Sequence, residues 1–306
     1  MVYVSPGGST NTSECGDIDL PCDALAAVYT LRENSTVRFL PGVYSISSTF
    51  LVCRTNGVSL FGFDPNKNDT IPEPGAVSID CNDRGFRAVE FLNSNRGSIH
   101  HITIQNCTLI YKNLKDDLYF GGAALSSYCE FPDICQTSAN LANLTDPSNY
   151  LFSIRNCQFF NNSVISTQDY YATGGAVSLY GPSLVEDSLF QFNRAHYSIL
   201  RNLPNVYHLW NFAQGGALAI QPLFFQFNLP VVVRRTKIVS NVAQGSSFHG
   251  ESAVGGGLFV EGSGWVEMSD CLIKDNSLSD SMPSNYYEPI GGGLWGAGKR
   301  TKWNLI

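Results

Sequence analysis

From about residue 100 onward the apolar positions alternate with polar ones in short runs, and each run breaks at the same place. Aligned without gaps on a small residue, the runs read Ile104-x-x-Cys107-x-Leu109, Ile154-x-x-Cys157-x-Phe159, Val185-x-x-Ser188-x-Phe190, Val233-x-x-Thr236-x-Ile238 and Met268-x-x-Cys271-x-Ile273. A further apolar residue stands five before the small one (Ile102, Phe152, Val231, Val266), with Ser183 the exception. An asparagine follows five after it in four copies, Asn162, Asn193, Asn241 and Asn276, and slips to Asn113 in the first.

Period two is the signature of a strand with one face buried, and the single step of three is a bend within it. The residues inside the bend are Asn106, Asn156, Asp187, Arg235 and Asp270. Asn and Asp tolerate left-handed backbone better than other non-glycine residues, so a tight corner is expected, with Arg235 the poorest fit.

Gly-Gly pairs punctuate the same region: Gly121-Gly122, Gly174-Gly175, Gly215-Gly216, Gly255-Gly256 and Gly291-Gly292, each opening a short apolar strand, 53, 41, 40 and 36 residues apart. That spacing marks a repeat architecture. No Gly-x-Gly-x-x-Gly or Walker pattern accompanies the pairs, which argues for tight turns into strands over phosphate binding. The fold expected is all-β, a parallel β-helix (solenoid) with three strands per coil. Ile104, Ile154, Val185, Val233 and Met268 fill one inward column, and Leu109, Phe159, Phe190, Ile238 and Ile273 another. The asparagines Asn162, Asn193, Asn241 and Asn276 read as structural, hydrogen-bonding amide to amide between coils.

Earlier in the chain the alternating pairs Val37 and Phe39, Tyr44 and Ile46, Val58 and Leu60, Val77 and Ile79, and Val89 and Phe91 fit the same plan without the repeat's markers. Before them Asp23 to Arg32 places Leu25, Val28, Tyr29 and Arg32 on one helical face, a short N-terminal capping helix. The chain is thus expected to be one β-helix domain over 1–306: a cap region 1–35, early coils 36–100 and repeat coils 101–306. The last coil stops at Trp303-Asn304-Leu305-Ile306 without a capping element, as in a truncated chain.

A formal charge of −7 and a charged fraction of 15% supply no basic stripe, so no nucleic-acid partner is expected. The most apolar stretch, 218–233, is too broken to form a transmembrane segment. Nine cysteines favour an oxidising compartment, and three close pairs are bridgeable: Cys15 with Cys22, Cys53 with Cys81, and Cys129 with Cys135. Cys107, Cys157 and Cys271 occupy the small-residue column and are read as compact core residues, with no metal and no cofactor implied. Asn-x-Ser/Thr patterns begin at Asn11, Asn34, Asn68, Asn106, Asn143 and Asn161. Asn106 lies in the tight corner, leaving Asn11, Asn34, Asn68, Asn143 and Asn161 as glycosylation candidates. No signal segment opens the chain.

Gly-Gly-Ala-aliphatic alternating with Phe-x-x-Asn, intact at Phe159 to Asn162 and Phe190 to Asn193, resembles the repeat of the chlamydial polymorphic outer membrane proteins. The opening Val2-Tyr3-Val4-Ser5, Cys15-Gly16, Pro21-Cys22 and Leu40-Pro41-Gly42-Val43-Tyr44 looks like such proteins too. The resemblance covers most of the chain. It implies a right-handed, pectin-lyase-like β-helix displayed outside the cell or on its surface, often as an adhesin.

That fold also carries polysaccharide lyases and hydrolases, so function must be argued from residues. Glycosidases need two carboxylates facing one bond. Glu186 with Asp187, and Glu267 with Asp270, adjoin the corner and read as solvated turn residues. His100, His101 and His249 come without the motifs of polygalacturonases, so no catalytic residue is assigned. The loops between the asparagines and the Gly-Gly pairs carry Tyr170, Tyr171, Tyr197, Tyr207, Trp210, Tyr286 and Tyr287, aromatic side chains suited to stacking on sugars. The leading expectation is a non-catalytic extracellular adhesion protein whose partner is a glycan or protein receptor. A carbohydrate-active enzyme is the alternative, and a passive spacer the third reading.

Overall fold

The computed structural model describes residues 1–53, 55–67, 70–94, 96–111, 121–128, 150–167, 172–198, 213–221, 230–246, 253–263, 265–280, 292–298 and 301–305. The fold is all-β, and every strand pair in it is parallel. Partner strands come from successive repeats rather than from neighbouring segments.

The largest sheet has two limbs. The first stacks Val2–Ser9, Thr36–Phe39, Ser59–Gly62, Gly97–His100, Phe152–Arg155, Ser183–Glu186 and Pro230–Arg234. The second stacks Gly42–Ser45, Val77–Asp80, Thr103–Gln105, Gln158–Phe160, Leu189–Gln191 and Lys237–Val239. Strand Trp265–Lys274 pairs with the top of both and joins them. A seven-stranded sheet runs from Phe50–Cys53 to Leu294–Gly298, a five-stranded sheet from Thr108–Tyr111 to Ser277–Asp280, and a three-stranded sheet pairs Ala172–Thr173, Ala213–Gln214 and Ala253–Val254.

Among the described residues, residues 36–92 make two passes of three strands each, whereas 152–263 makes three passes of five. One of the two added strands follows the second of two left-handed corners in each upper repeat, and the other is the two-residue strand just before the Gly-Gly pair. His101, Asn156, Asp187, Arg235 and Asp270 occupy the first corner at φ 49–56°. Asn106, Asn161, Phe192, Ser240 and Asp275, each five residues later, occupy the second at φ 50–58°. A left-handed residue breaks the strand at these corners, except at Asp270, where Trp265–Lys274 runs through.

This geometry corrects the alignment of the first repeat. Ile154 pairs with Ile99, not Ile104, and Ile104 pairs with Phe159. Asn106 therefore belongs to the second corner. Cys107 stands beneath Asn162, whose Oδ1 accepts its backbone N–H at 3.1 Å. The small column of the first corner holds Ile102, Cys157, Ser188, Thr236 and Cys271. The first Gly-Gly pair is likewise displaced by one, since Leu125 pairs with Val177 and so Gly122 matches Gly174.

Inside the second corner the asparagines form a continuous column. Asn162 Nδ2 donates to Asn193 Oδ1 at 3.0 Å, Asn193 to Asn241 at 2.9 Å, and Asn241 to Asn276 at 2.9 Å. Each Oδ1 also accepts the backbone N–H of the asparagine below, at 3.0, 2.9 and 3.0 Å. The remaining amide protons go to the carbonyls of Ile104, Phe159, Phe190 and Ile238. Asn162, Asn193 and Asn241 are buried, so the column satisfies polar groups that water cannot reach.

The inward residues of the two limbs build the core, with Ile99, Ile154, Val185 and Val233 in one file and Ile104, Phe159, Phe190 and Ile238 in the next, all buried. Phe159 and Phe190 stack with ring centroids 4.8 Å apart, one rung spacing. Gly174 adopts φ +53°, and a Cβ on Gly175 would sit 2.1 Å from the Gly216 carbonyl oxygen. The pair thus combines a left-handed turn with a close backbone approach between rungs.

The expected helix over 23–32 is not formed. A single helical turn, Ala24–Val28, buries Ala24, Ala26 and Ala27. Tyr29 and Thr30 then bond three residues back, to Ala26 and Ala27, so the chain tightens out of the α geometry and leaves Tyr29 exposed.

Cys15 is disulfide-bonded to Cys22. Cys81 is bonded to Cys107, not to Cys53, because the true register sets their Cα atoms 4.8 Å apart on adjacent rungs. Cys129 and Cys135 lie outside the described residues. Cys157 and Cys271 are buried free thiols, and burial pushes Cys157 up to about 12.

Candidate binding face

The second limb turns two files of side chains outward, because alternate residues of each strand point away from the core. Register places Thr103, Gln158, Leu189, Lys237 and Leu272 in one file. Gln105, Phe160, Gln191, Val239 and Lys274 form the other. The second corner borders them with Asn106, Asn161, Phe192, Ser240 and Asp275. Leu272 is 40% and Phe192 59% exposed. An aromatic residue held at φ 58° and open to solvent is unusual, since bulky side chains are disfavoured there.

At the lower end of this face Lys67 and residues 71–75 border a groove of 360 Å³ over the sheet. Its floor is His101, Thr103, Asn156 and Gln158, and its wall includes Ile71 and Pro72. Glu73, the one carboxylate of the lining among the described residues, is ion-paired to Lys67. The amides beside the groove are ordered by one another. Gln105 Nε2 and Asn106 Nδ2 donate to Asp80 Oδ2 at 2.9 and 3.1 Å, and Asn161 Nδ2 donates to Asn106 Oδ1 at 2.9 Å.

Hydroxyl-bearing ligands suit such a surface. Primary amides give and accept hydrogen bonds side by side, and Phe160 adds an apolar face among them.

On the first limb the sequence reading of Glu186 as a solvated turn residue is corrected. Glu186 is buried and bound by three arginines: Arg155 at 2.8 Å, Arg234 at 2.6 Å and Arg235 at 3.0 Å. The register Arg155↔Glu186↔Arg234 sets the first two on either side of it. Arg235 also pairs with Asp187 at 2.7 Å, and that hydrogen bond holds the Asp187 carboxyl below its usual range. His100, next in the same file, is lowered to about 4 by burial first and by Arg155 second. The arginines that stabilise this cluster escaped the sequence reading because 155, 234 and 235 become neighbours only once the repeats are stacked.

Of the aromatic residues expected to make contacts, Tyr170, Tyr171, Tyr207, Trp210, Tyr286 and Tyr287 lie outside the described residues. Tyr197 does not face solvent. Strand Arg194–Ser198 carries it inward together with Ala195, and both are buried. Asn11, Asn34 and Asn161 are exposed, whereas Asn68, Asn143 and His249 lie outside the described residues. No group of three or more His, Cys, Asp or Glu among the described residues is placed to hold a metal ion. No helix among them is long and apolar enough to cross a membrane. Comparison with known protein families, with curated proteins and with solved structures finds no match.

Proposed function

We propose that the chain winds as a right-handed parallel β-helix like that of the polymorphic outer membrane proteins it resembles. Its role is that of a non-catalytic extracellular surface protein binding a neutral glycan along the outer face of the second limb. The observation that carries this reading is the ordered run of Gln105, Gln158, Phe160 and Gln191 leading out of the groove. These middle rungs bear no charge, which favours a neutral ligand over an acidic one. Rungs about 4.8 Å apart advance at roughly the pitch of sugars in an extended polysaccharide. This described face is the contact surface of the proposal, the loop aromatics other than Tyr197 lying outside the described residues.

The test is saturable binding of the oxidised chain to neutral and acidic polysaccharides, with newly formed chain ends measured in the same mixtures. Binding to a neutral polymer is expected, weakened about tenfold by a Gln158→Ala, Phe160→Ala double variant that keeps its stability, with no new ends. New ends that grow with time would establish the carbohydrate-active enzyme instead. Absence of binding across the panel would leave a spacer.

A further inference from the structure

Four Asn-x-Ser/Thr patterns have their asparagine among the described residues, and the fold divides them sharply. Asn34, Asn106 and Asn161 all have left-handed backbone, at φ 59, 53 and 50°. Two positions later Thr36, Thr108 and Ser163 are the first residues of the strands Thr36–Phe39, Thr108–Tyr111 and Ser163–Ser166. Those hydroxyl residues are locked into parallel ladders, Thr36 to Ser59, Thr108 to Ser163 and Ser163 to Arg194. The amide nitrogens of Asn106 and Asn161 are spent on Asp80 and Asn106. Asn34 packs against Gly57, where a Cβ would meet its Oδ1 at 2.2 Å. In these three places the pattern spells a corner: a left-handed asparagine, one intervening residue, then a strand that begins with a hydroxyl.

Asn11-Thr12-Ser13 is different. Asn11 is exposed, and its carbonyl opens a turn by accepting the N–H groups of Glu14 and Cys15 at 3.2 and 3.1 Å. Its side-chain Oδ1 accepts both the Ser13 hydroxyl at 2.8 Å and the Ser13 N–H at 3.3 Å. Asn11 and Ser13 thus close on each other outside any strand. Nδ2, the atom that glycosylation modifies, has no hydrogen-bond partner among the described residues.

We propose that Asn11 is an N-glycan acceptor of the folded protein and that Asn34, Asn106 and Asn161 are not. The donor is an oligosaccharide on a lipid diphosphate. Nδ2 attacks the first sugar's C1, the C1–N bond forms as the C1–O bond to phosphate breaks, one amide proton is lost to a base of the transferase, and the lipid diphosphate leaves. This proposal is independent of the glycan-binding reading.

The experiment treats the purified, oxidised chain with a single-subunit oligosaccharyltransferase and a lipid-diphosphate oligosaccharide, then maps glycopeptides residue by residue, with the reduced, unfolded chain in parallel. The folded chain should carry a glycan on the Asn11 peptide, lost in Asn11→Gln and in Ser13→Ala, and none on the peptides of Asn34, Asn106 and Asn161. The unfolded chain should gain those three. A folded chain left bare at Asn11, or modified at any of the three corners, overturns the proposal.

Discussion

The lower passes, residues 36–92, and the upper passes, 152–263, share their first limb, second limb and seven-stranded sheet, yet they solve different problems. Below, one strand per limb suffices and no asparagine column is needed. Above, the five-stranded sheet opens at Thr108–Tyr111, and each second corner is followed by a residue turned into the core, buried at Cys107, Asn162, Asn193 and Asn241. The column of buried amides begins at that level. Its lowest contact is the backbone of Cys107, and Cys107 is bonded to Cys81 of the last three-stranded pass. A covalent bridge thus stands where the hydrogen-bonded column gives out. The contrast teaches that extra width brings buried polar backbone with it, and that a repeated side chain in register is one way to satisfy it.

The most disruptive test is Asn193→Ala. It strands the N–H and Nδ2 of Asn162 and the carbonyl of Phe159, and a cost of about 4 kcal/mol is expected. Hydrogen exchange should show that loss in the upper passes first, with the lower ones still protected. Replacing Cys81 and Cys107 together by alanine removes a closure spanning 26 residues and should cost about 3 kcal/mol in denaturant titration. Equal loss of protection above and below the bridge would show the two regions to be one cooperative unit.

Acid should weaken the junction by way of His100. Its folded value, about 4, lies below its ordinary 6.5, so the unfolded chain takes up the proton first. The stabilisation is present above pH 6.5 and is lost as pH falls toward 4, by about 1.4 kcal/mol per unit at most. Asp187, also lowered, acts in the same direction, its contribution being lost only below the ordinary carboxylate range. Thermal unfolding from pH 7 to 4 should show this slope, and His100→Gln should flatten it above pH 4. The smallest effect is expected from Glu186→Gln, about 2 kcal/mol, because Arg234 and Arg235 keep some access to solvent when the carboxylate is neutralised.

Much of the core was readable from alternation alone, including Phe159, Phe190 and the early pairs such as Val37 and Phe39. The first repeat was not. Ile104-x-x-Cys107-x-Leu109 imitates Ile154-x-x-Cys157-x-Phe159 because both corners share one local grammar, a left-handed residue followed by a small inward one. Only pairing between rungs reveals that the imitation sits one corner late, and the misjudged partner of Cys81 follows from it. Tyr197 was misplaced for a related reason: its inward companion is Ala195, a weak marker of burial. The face proposed for binding left almost no signal, since Gln105, Gln158 and Gln191 read as ordinary polar strand positions until register sets them in line. The three-arginine clamp on Glu186 depends on stacking in the same way.

The two left-handed corners are five residues apart in every repeat where both are described, while the arc from the second corner to the Gly-Gly pair and the arc from that pair to the next first corner change length. The segment between them therefore acts as a ruler, keeping each new layer in phase with the one beneath it. Length can be added or trimmed elsewhere in the circuit and the next layer still lands in step, so variation gathers in the loops and leaves the frame untouched.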